Sequence, residues 1–303
     1  MSDPPIPAPE AGPVLVPPAL GHERLWTPWR MKYIGGGAEE AGCVFCNRLR
    51  GSDDVRSLIL HRAAHVFVIM NLYPYNTGHV MIVPNAHVAG PEEADAPTVA
   101  GMAALLPPLL RVLRRALDCQ GFNIGINVGE VAGAGVASHL HQHVVPRWLG
   151  DANFMPLLAS TTVIPEILPV TYAKLRAELT RDAAADPAAA ATLLVVTDPS
   201  GNVLLPWTGE ARSLPDVVPD HRPVWRSAVA ALQDLGLFAA VAGWAGGESA
   251  AEPAARPALW LTVDAVEPSG PHRRWLAAED AAERLPPEEA DAVRRVAEML
   301  RPV

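Results

Sequence analysis

The sequence predicts an α+β chain, an antiparallel sheet with helices followed by a second, smaller α+β domain. Three observations carry this prediction. Apolar and turn-forming stretches succeed one another as strand, strand, strand, helix, strand, strand, helix, without a repeated βαβ unit, so neighbouring strands are hairpin-like. Imidazoles at spacing two, His139-Leu140-His141-Gln142-His143, run into Val144-Val145, a pattern that a strand sets on one face. An alanine-rich tract near 183–191 separates this block from a further set of strand and helix patterns.

Taken in order, residues 1–22 are Pro-rich and acidic and read as a disordered arm. Order is expected to begin at Leu25-Trp26-Thr27-Pro28-Trp29-Arg30, where two tryptophans need burial. Leu58-Ile59-Leu60 and Val66 to Met70 read as strands, the Pro, Asn and Gly of 71–78 as a turn, and His79 to Pro84 as the next strand. From Pro91 to Cys119 apolar residues recur at threes and fours behind Asp95, a candidate N-cap. Pro107-Pro108 in the middle predicts a kink or two shorter helices. Phe122 to Asn127 alternates as a strand that enters the small-residue loop 127–137, and Ile164 to Leu179 reads as a closing helix. The first domain is thus placed at 23–180, a linker at 181–191 and the second domain at 192–303. Within the latter, strands are expected at Leu193 to Thr197, Val203 to Leu205 and Ala258 to Val263, and helices at Pro223 to Leu235 and Pro287 to Leu300.

At 303 residues the chain is long enough for two domains, and with 50% hydrophobic residues it can bury a sizeable core. A net charge of −9 argues against a nucleic-acid coat, which needs a concentrated basic surface. No run of 18 apolar residues and no basic start followed by an apolar core occur, so neither a membrane partner nor a signal peptide is expected, and the cytoplasm is the expected compartment. The pair Cys43-Val44-Phe45-Cys46 fits a reducing compartment and points to metal more than to a disulfide framework. Glycines upstream of the imidazoles let backbone N–H groups approach an anion, which points to phosphate chemistry.

His139-Leu140-His141-Gln142-His143-Val144-Val145 resembles the histidine-triad (HIT) signature, in which apolar residues alternate with three histidines; Gln142 departs from it. The flanking stretches Leu25 to Ile34 and Val144-Val145-Pro146-Arg147-Trp148, followed by Asp151-Ala152-Asn153-Phe154, are most similar to bacterial members akin to diadenosine tetraphosphate phosphorylase. The resemblance implies a nucleotidyl-transfer enzyme on dinucleoside polyphosphates, with His141 as nucleophile and His143 beside it on the phosphate oxygens or leaving group. Phosphate or water completes the turnover. It further implies Asn71 at the ribose, Asn127, Gly133 and Gly135 at the phosphates, and Trp148 as a stacking or wall residue at the nucleotide. In members with an early Cys-x-x-Cys the first histidine joins a zinc site, which here implies Cys43, Cys46, His87 and His139. His79 reads as structural, Arg147 as a phosphate contact or an ion-pair partner, and the resemblance implies a homodimer. A plain hydrolase or nucleoside phosphoramidase would use the same residues, and a non-catalytic nucleotide sensor or scaffold is the alternative of a different class.

The order of elements in 192–303, with Asp234-Leu235-Gly236-Leu237 closing its first helix, resembles a Nudix-type domain. Where that family holds cations with glutamates, this sequence has Val229, Ala230, Gln233 and Asp234, which implies a degenerate unit without hydrolytic chemistry; an unrelated α+β domain is the alternative.

Overall fold

Strands β1 (Ile59–Arg62), β2 (Val66–Met70), β3 (Val80–Pro84), β4 (Gly121–Ile126) and β5 (Gln142–Arg147) form an antiparallel sheet in the order β1-β2-β3-β5-β4. The computed structural model describes residues 41–151, 164–183, 191–206, 213–218, 220–246, 257–263 and 273–300. The expected arm at 1–22, Trp26, Trp29, Asn153, Phe154 and most of the expected linker lie outside those residues.

Period-two alternation sorts the sheet into two faces. Leu60, Val66, Val68, Met70, Val80, Ile82, Leu140 and Val144 pack in one core with helix α3 (Ala96–Leu117) and helix α4 (Leu168–Ala183). Ile59, Phe67, Ile69, Met81 and Val83 form the opposite face and pack with Phe45 of the short helix α1 (Val44–Arg50), which precedes α2 (Asp54–Ser57). The register pairs Met81 with His143 and Ile82 with Gln142, so His143 stands on the α1 face.

The strand carrying the imidazoles starts later than the sequence predicts, at Gln142, and His139 sits in a bend. Pro84, opposite Leu140 by continuation of this register, has no N–H to offer the ladder. Pro84 O is taken by His139 Nε2 at 3.0 Å, and Leu140 N–H bonds to Val88 O at 2.6 Å.

Helix α3 begins at its expected cap, Asp95, whose side chain accepts from Thr98 N at 2.9 Å. It continues as one helix through Pro107 and Pro108, which excludes the alternative of two shorter helices. The carbonyls that lose a partner, those of Ala103 and Ala104, belong to exposed residues, where water can replace the missing N–H groups. By length and composition α3 could cross a membrane; in this fold Met102, Leu109, Val112, Leu113 and Ala116 are buried in the core.

Helix α4 reaches Ala183, beyond the predicted boundary at 180. It is buried almost all round between 171 and 178, because it lies between two sheets. Tyr172 Oη donates to Ile59 O at 2.9 Å and Arg176 Nη1 to Leu60 O at 2.8 Å, while the Arg176 guanidinium lies 5.9 Å from the Trp244 ring centre. Trp244 ends β9 (Ala239–Trp244), the edge strand of the second sheet, which has the order β11-β7-β6-β10-β9 with β8 (Asp216–Val217) paired to β6. Here β6 (Thr192–Thr197) and β10 (Ala258–Val263) run parallel, and β7 (Val203–Pro206) pairs antiparallel with β11 (Arg273–Leu276). Helix α5 (Val224–Asp234) joins the α4 side, whereas α6 (Ala278–Ala282) and α7 (Pro287–Leu300) cover the far face.

Polar contacts tie the halves together. Trp225 Nε1 donates to Ala116 O at 2.8 Å, and the fully buried Glu178 accepts from both Arg115 and Val224 N–H. Glu178→Ala leaves that N–H and Arg115 without their shared acceptor; Arg115 is a quarter exposed and keeps Asp182. A loss of about 2 kcal/mol is expected, read as the change in the urea midpoint at unchanged slope. A change below about 0.5 kcal/mol would show that the contact is energetically idle.

Candidate active site

The α1 face of the first sheet gathers rings in a line: His87, His139, His141, His143, His79 and Tyr75. Phe45 supports the middle of this line, with its ring centre 5.4 Å from His139 and 5.2 Å from His141. The three triad imidazoles therefore do not share one function-neutral row; each is turned to a different partner.

His139 turns toward the cysteines. Its Nδ1 lies 3.2 Å from Cys43 Sγ, 3.6 Å from Cys46 Sγ and 3.2 Å from His87 Nδ1, and Cys46 Sγ lies 3.3 Å from His87 Nδ1. All four donor atoms fall within 4.8 Å of one another, so Cys43, Cys46, His87 and His139 could hold a metal ion. On its far side His139 Nε2 donates to Pro84 O at 3.0 Å. A carbonyl only accepts, so in the neutral ring Nδ1 presents its lone pair to the cluster.

His141 is buried, and its Nδ1 lies 2.7 Å from His139 O. The proton is thereby held on Nδ1 and the lone pair is on Nε2. Burial pushes the His141 pKa below the ordinary 6.5, which keeps the ring neutral.

His143 has the opposite tautomer, for a reason traceable to the backbone. Tyr75 N–H donates to His79 Nδ1 at 3.1 Å, which puts the His79 proton on Nε2. His79 Nε2 lies 3.0 Å from His143 Nδ1, which must then accept, leaving the His143 proton on Nε2. That N–H is buried and has no partner within the described chain. Burial, followed by repulsion from neighbouring imidazoles, lowers His79 to about 3 and His143 to about 4, so the pair stays neutral. The site thus places a lone pair on His141 beside a proton on His143, the ring centres being 4.9 Å apart. A phosphorus centre between them meets a nucleophile and a proton donor together.

Asn71 lies next to His79, its Oδ1 accepting from Tyr73 N at 2.8 Å and its Nδ2 3.4 Å from His79 Nδ1. Asn127, Gly133 and Gly135 occupy the loop between β4 and the histidines. Gly133 has φ 83°, and a Cβ added at Gly133 or Gly135 would meet nothing within 4 Å, so this backbone is open to a ligand. One expectation is corrected and one is narrowed to a single alternative. Trp148 is not beside the histidines of its own chain: it follows β5, roughly 20 Å along the strand from His141, and its Nε1 donates to Leu117 O at 3.3 Å. Arg147 is an ion-pair partner, gripping Asp151 through Nε at 2.6 Å and Nη2 at 2.8 Å and holding that carboxyl down at about 2. His79, read as structural in the sequence, belongs to the site. The signal was its place just before β3, two residues before the partner of His143, visible once the register is known.

A histidine lone pair and a histidine N–H on one face of a five-stranded antiparallel sheet define a histidine-based phosphate-transfer class. Residues 53–148 match the model of the HIT domain. The AP-4-A phosphorylase of Mycobacterium tuberculosis is 37% identical over 167 residues, which span 52% of this chain and 85% of that protein. An uncharacterized HIT-like protein of Methanocaldococcus jannaschii is 30% identical over 111 residues, 37% of this chain and 83% of that one. Among solved structures, a Zn-bound histidine triad family protein from Mycobacterium smegmatis is 29% identical, with a TM-score of 0.38 over 46% of this chain and 94% of that chain. The chain belongs to the HIT family.

Proposed function

We propose that the chain transfers a nucleotidyl group from a dinucleoside polyphosphate to phosphate through a nucleotidyl-histidine at His141. The observation that carries this reading is the 2.7 Å bond from His141 Nδ1 to His139 O, which leaves Nε2 as the free nucleophile. In the first step Nε2 bonds to the α-phosphorus, the bond from phosphorus to the bridging oxygen breaks, and the departing nucleotide takes the electron pair and accepts a hydrogen bond from His143 Nε2–H, which keeps its proton. In the second step an oxygen of inorganic phosphate bonds to the same phosphorus and the phosphorus–Nε2 bond breaks, restoring His141. Similarity to the AP-4-A phosphorylase over most of its length favours phosphate over water as acceptor. Asn71 is proposed at the ribose, and the open backbone of Asn127, Gly133 and Gly135 at the phosphates.

The ion proposed for Cys43, Cys46, His87 and His139 is zinc. A tetrahedral zinc with two thiolates and two imidazoles has neighbouring donors about 3.3–3.8 Å apart, and the separations of 3.2 to 3.6 Å suit it. Bound there, zinc would cross-link α1 to the segment before β5; with four protein ligands it has no open position for substrate. A second copy of the chain is proposed along β4, an outer strand that leaves Ile124 and Ile126 exposed.

The deciding measurement is product analysis of the purified protein with diadenosine tetraphosphate, with and without inorganic phosphate. ADP plus ATP, formed only with phosphate, is the expected result. AMP plus ATP regardless of phosphate would make water the acceptor, and absence of turnover would remove the proposed reaction.

A further inference from the structure

Tyr75 stands out because the residue is 53% exposed and yet its ring packs on two buried histidines. It lies in the turn between β2 and β3, which is pinned at both ends. Asn71 Oδ1 takes Tyr73 N–H at 2.8 Å, and Asn76 Nδ2 bonds Pro146 O at 3.2 Å and Asp151 Oδ2 at 3.0 Å. Gly78 closes the turn at φ 73°, where a side chain would run into Leu117. From this fixed turn the Tyr75 ring packs on His79 with centres 4.6 Å apart, and stacks on His143 at 5.8 Å with the planes 24° apart. Its backbone N–H is also the donor that fixes the His79 tautomer.

One residue therefore acts twice on the same pair, through the backbone on its proton and through the ring on its orientation. The groups facing His143 on this side are His141, His79 and Tyr75, and none carries a charge that could hold the imidazole in place. An unrestrained imidazole would rotate about its side-chain bonds and swing its Nε2–H away from the leaving oxygen. Water reaching His79 Nε2 would compete for the bond that sets the His143 tautomer.

We propose that Tyr75 is a positioning residue for hydrogen-bond donation to the leaving group, its ring clamping and covering the His79–His143 pair so that His143 Nε2–H stays aimed at the leaving oxygen. The proposal rests on the transfer reaction assigned to His141 and deepens it. Help from a hydrogen-bond donor matters most for a basic leaving group and least for an acidic one. Loss of the clamp should therefore be felt selectively, in contrast to a general loss of binding or folding.

The test uses the full-length protein with the phenyl and p-nitrophenyl esters of adenosine 5′-monophosphate, and reads kcat/KM, which reports the step that expels the leaving group. Tyr75→Ala is expected to lower kcat/KM about tenfold for the phenyl ester and by less than about twofold for the p-nitrophenyl ester. Tyr75→Phe, which keeps ring and backbone, should match the parent on both. Tyr75→Leu carries the same test if the alanine variant does not fold. Equal losses on both esters, or no loss on either, would overturn the positioning role while leaving the transfer reaction intact. Failure of the unmodified protein to turn over either ester or diadenosine tetraphosphate would instead remove the transfer reaction, and this role with it.

Discussion

Replacing His141 by alanine is expected to lower turnover of diadenosine tetraphosphate by at least about 10⁴-fold, because no other described side chain presents a neutral lone pair at that point of the site. The imidazole lies in a packed setting between Phe45 and His143, so the variant also leaves a small cavity, and its folding should be checked by the melting temperature. Acid-sensitive labelling of the parent by adenylate-labelled substrate, absent in His141→Ala, identifies the adduct directly. An adduct of equal yield in the variant would place the nucleophile elsewhere. The sign of the pH dependence follows from the same burial. The reactive form is neutral, and burial moves the His141 pKa below 6.5, so activity should persist as pH falls through 6.5 and be lost only at lower pH.

Removing the ion proposed for Cys43, Cys46, His87 and His139 is expected to have the second largest effect, this time on stability. A ligand present at a hundred to a thousand times its dissociation constant contributes about 3–4 kcal/mol, and for a chain of this size that corresponds to a melting temperature lower by about 5 °C after chelation. Elemental analysis should give zinc bound to the protein as purified, lost together with the thermal shift in Cys46→Ser. Activity below the new melting point should largely survive, since His139 Nε2 stays bonded to Pro84 O with or without the ion and continues to offer its own carbonyl to His141. A protein that contains no zinc and melts at the same temperature with or without chelator would dispose of the site.

The sequence made the strands of the first sheet legible because their apolar runs and turn residues are local. It also marked the residues of the two adjacent centres, His139, His141 and His143 by their spacing and Cys43 and Cys46 by theirs. What it concealed depends on long-range pairing. The different tautomers of His141 and His143 are set by a carbonyl two residues away in one case and by a backbone N–H across the sheet in the other. Trp148 was misplaced because an aromatic next to a motif carries no indication of which way the strand takes it. Pro107 and Pro108 read as breakers, yet their cost falls where water can meet it. Nothing local marks Arg176 and Glu178 as buried, yet both are, because the second sheet packs against this helix on its other side. Strands β9 and β11 and the helix Ala278–Ala282 escaped notice, being short and rich in alanine or flanked by irregular sequence.

Helix α4 gives the protein an unusual relation between its parts. Its side chains hold carbonyls of β1 on one side and a tryptophan of β9 on the other. Neither half owns this element, so cutting the chain after Ala183 would not release a finished unit but would bare a flank of apolar and charged groups selected for contact. Free energy gained at one sheet is correspondingly shared with the other. An ion or nucleotide seated among the histidines would slow the opening of residues that lie far from it, and the C-terminal half would serve the chemistry as ballast, without touching a substrate.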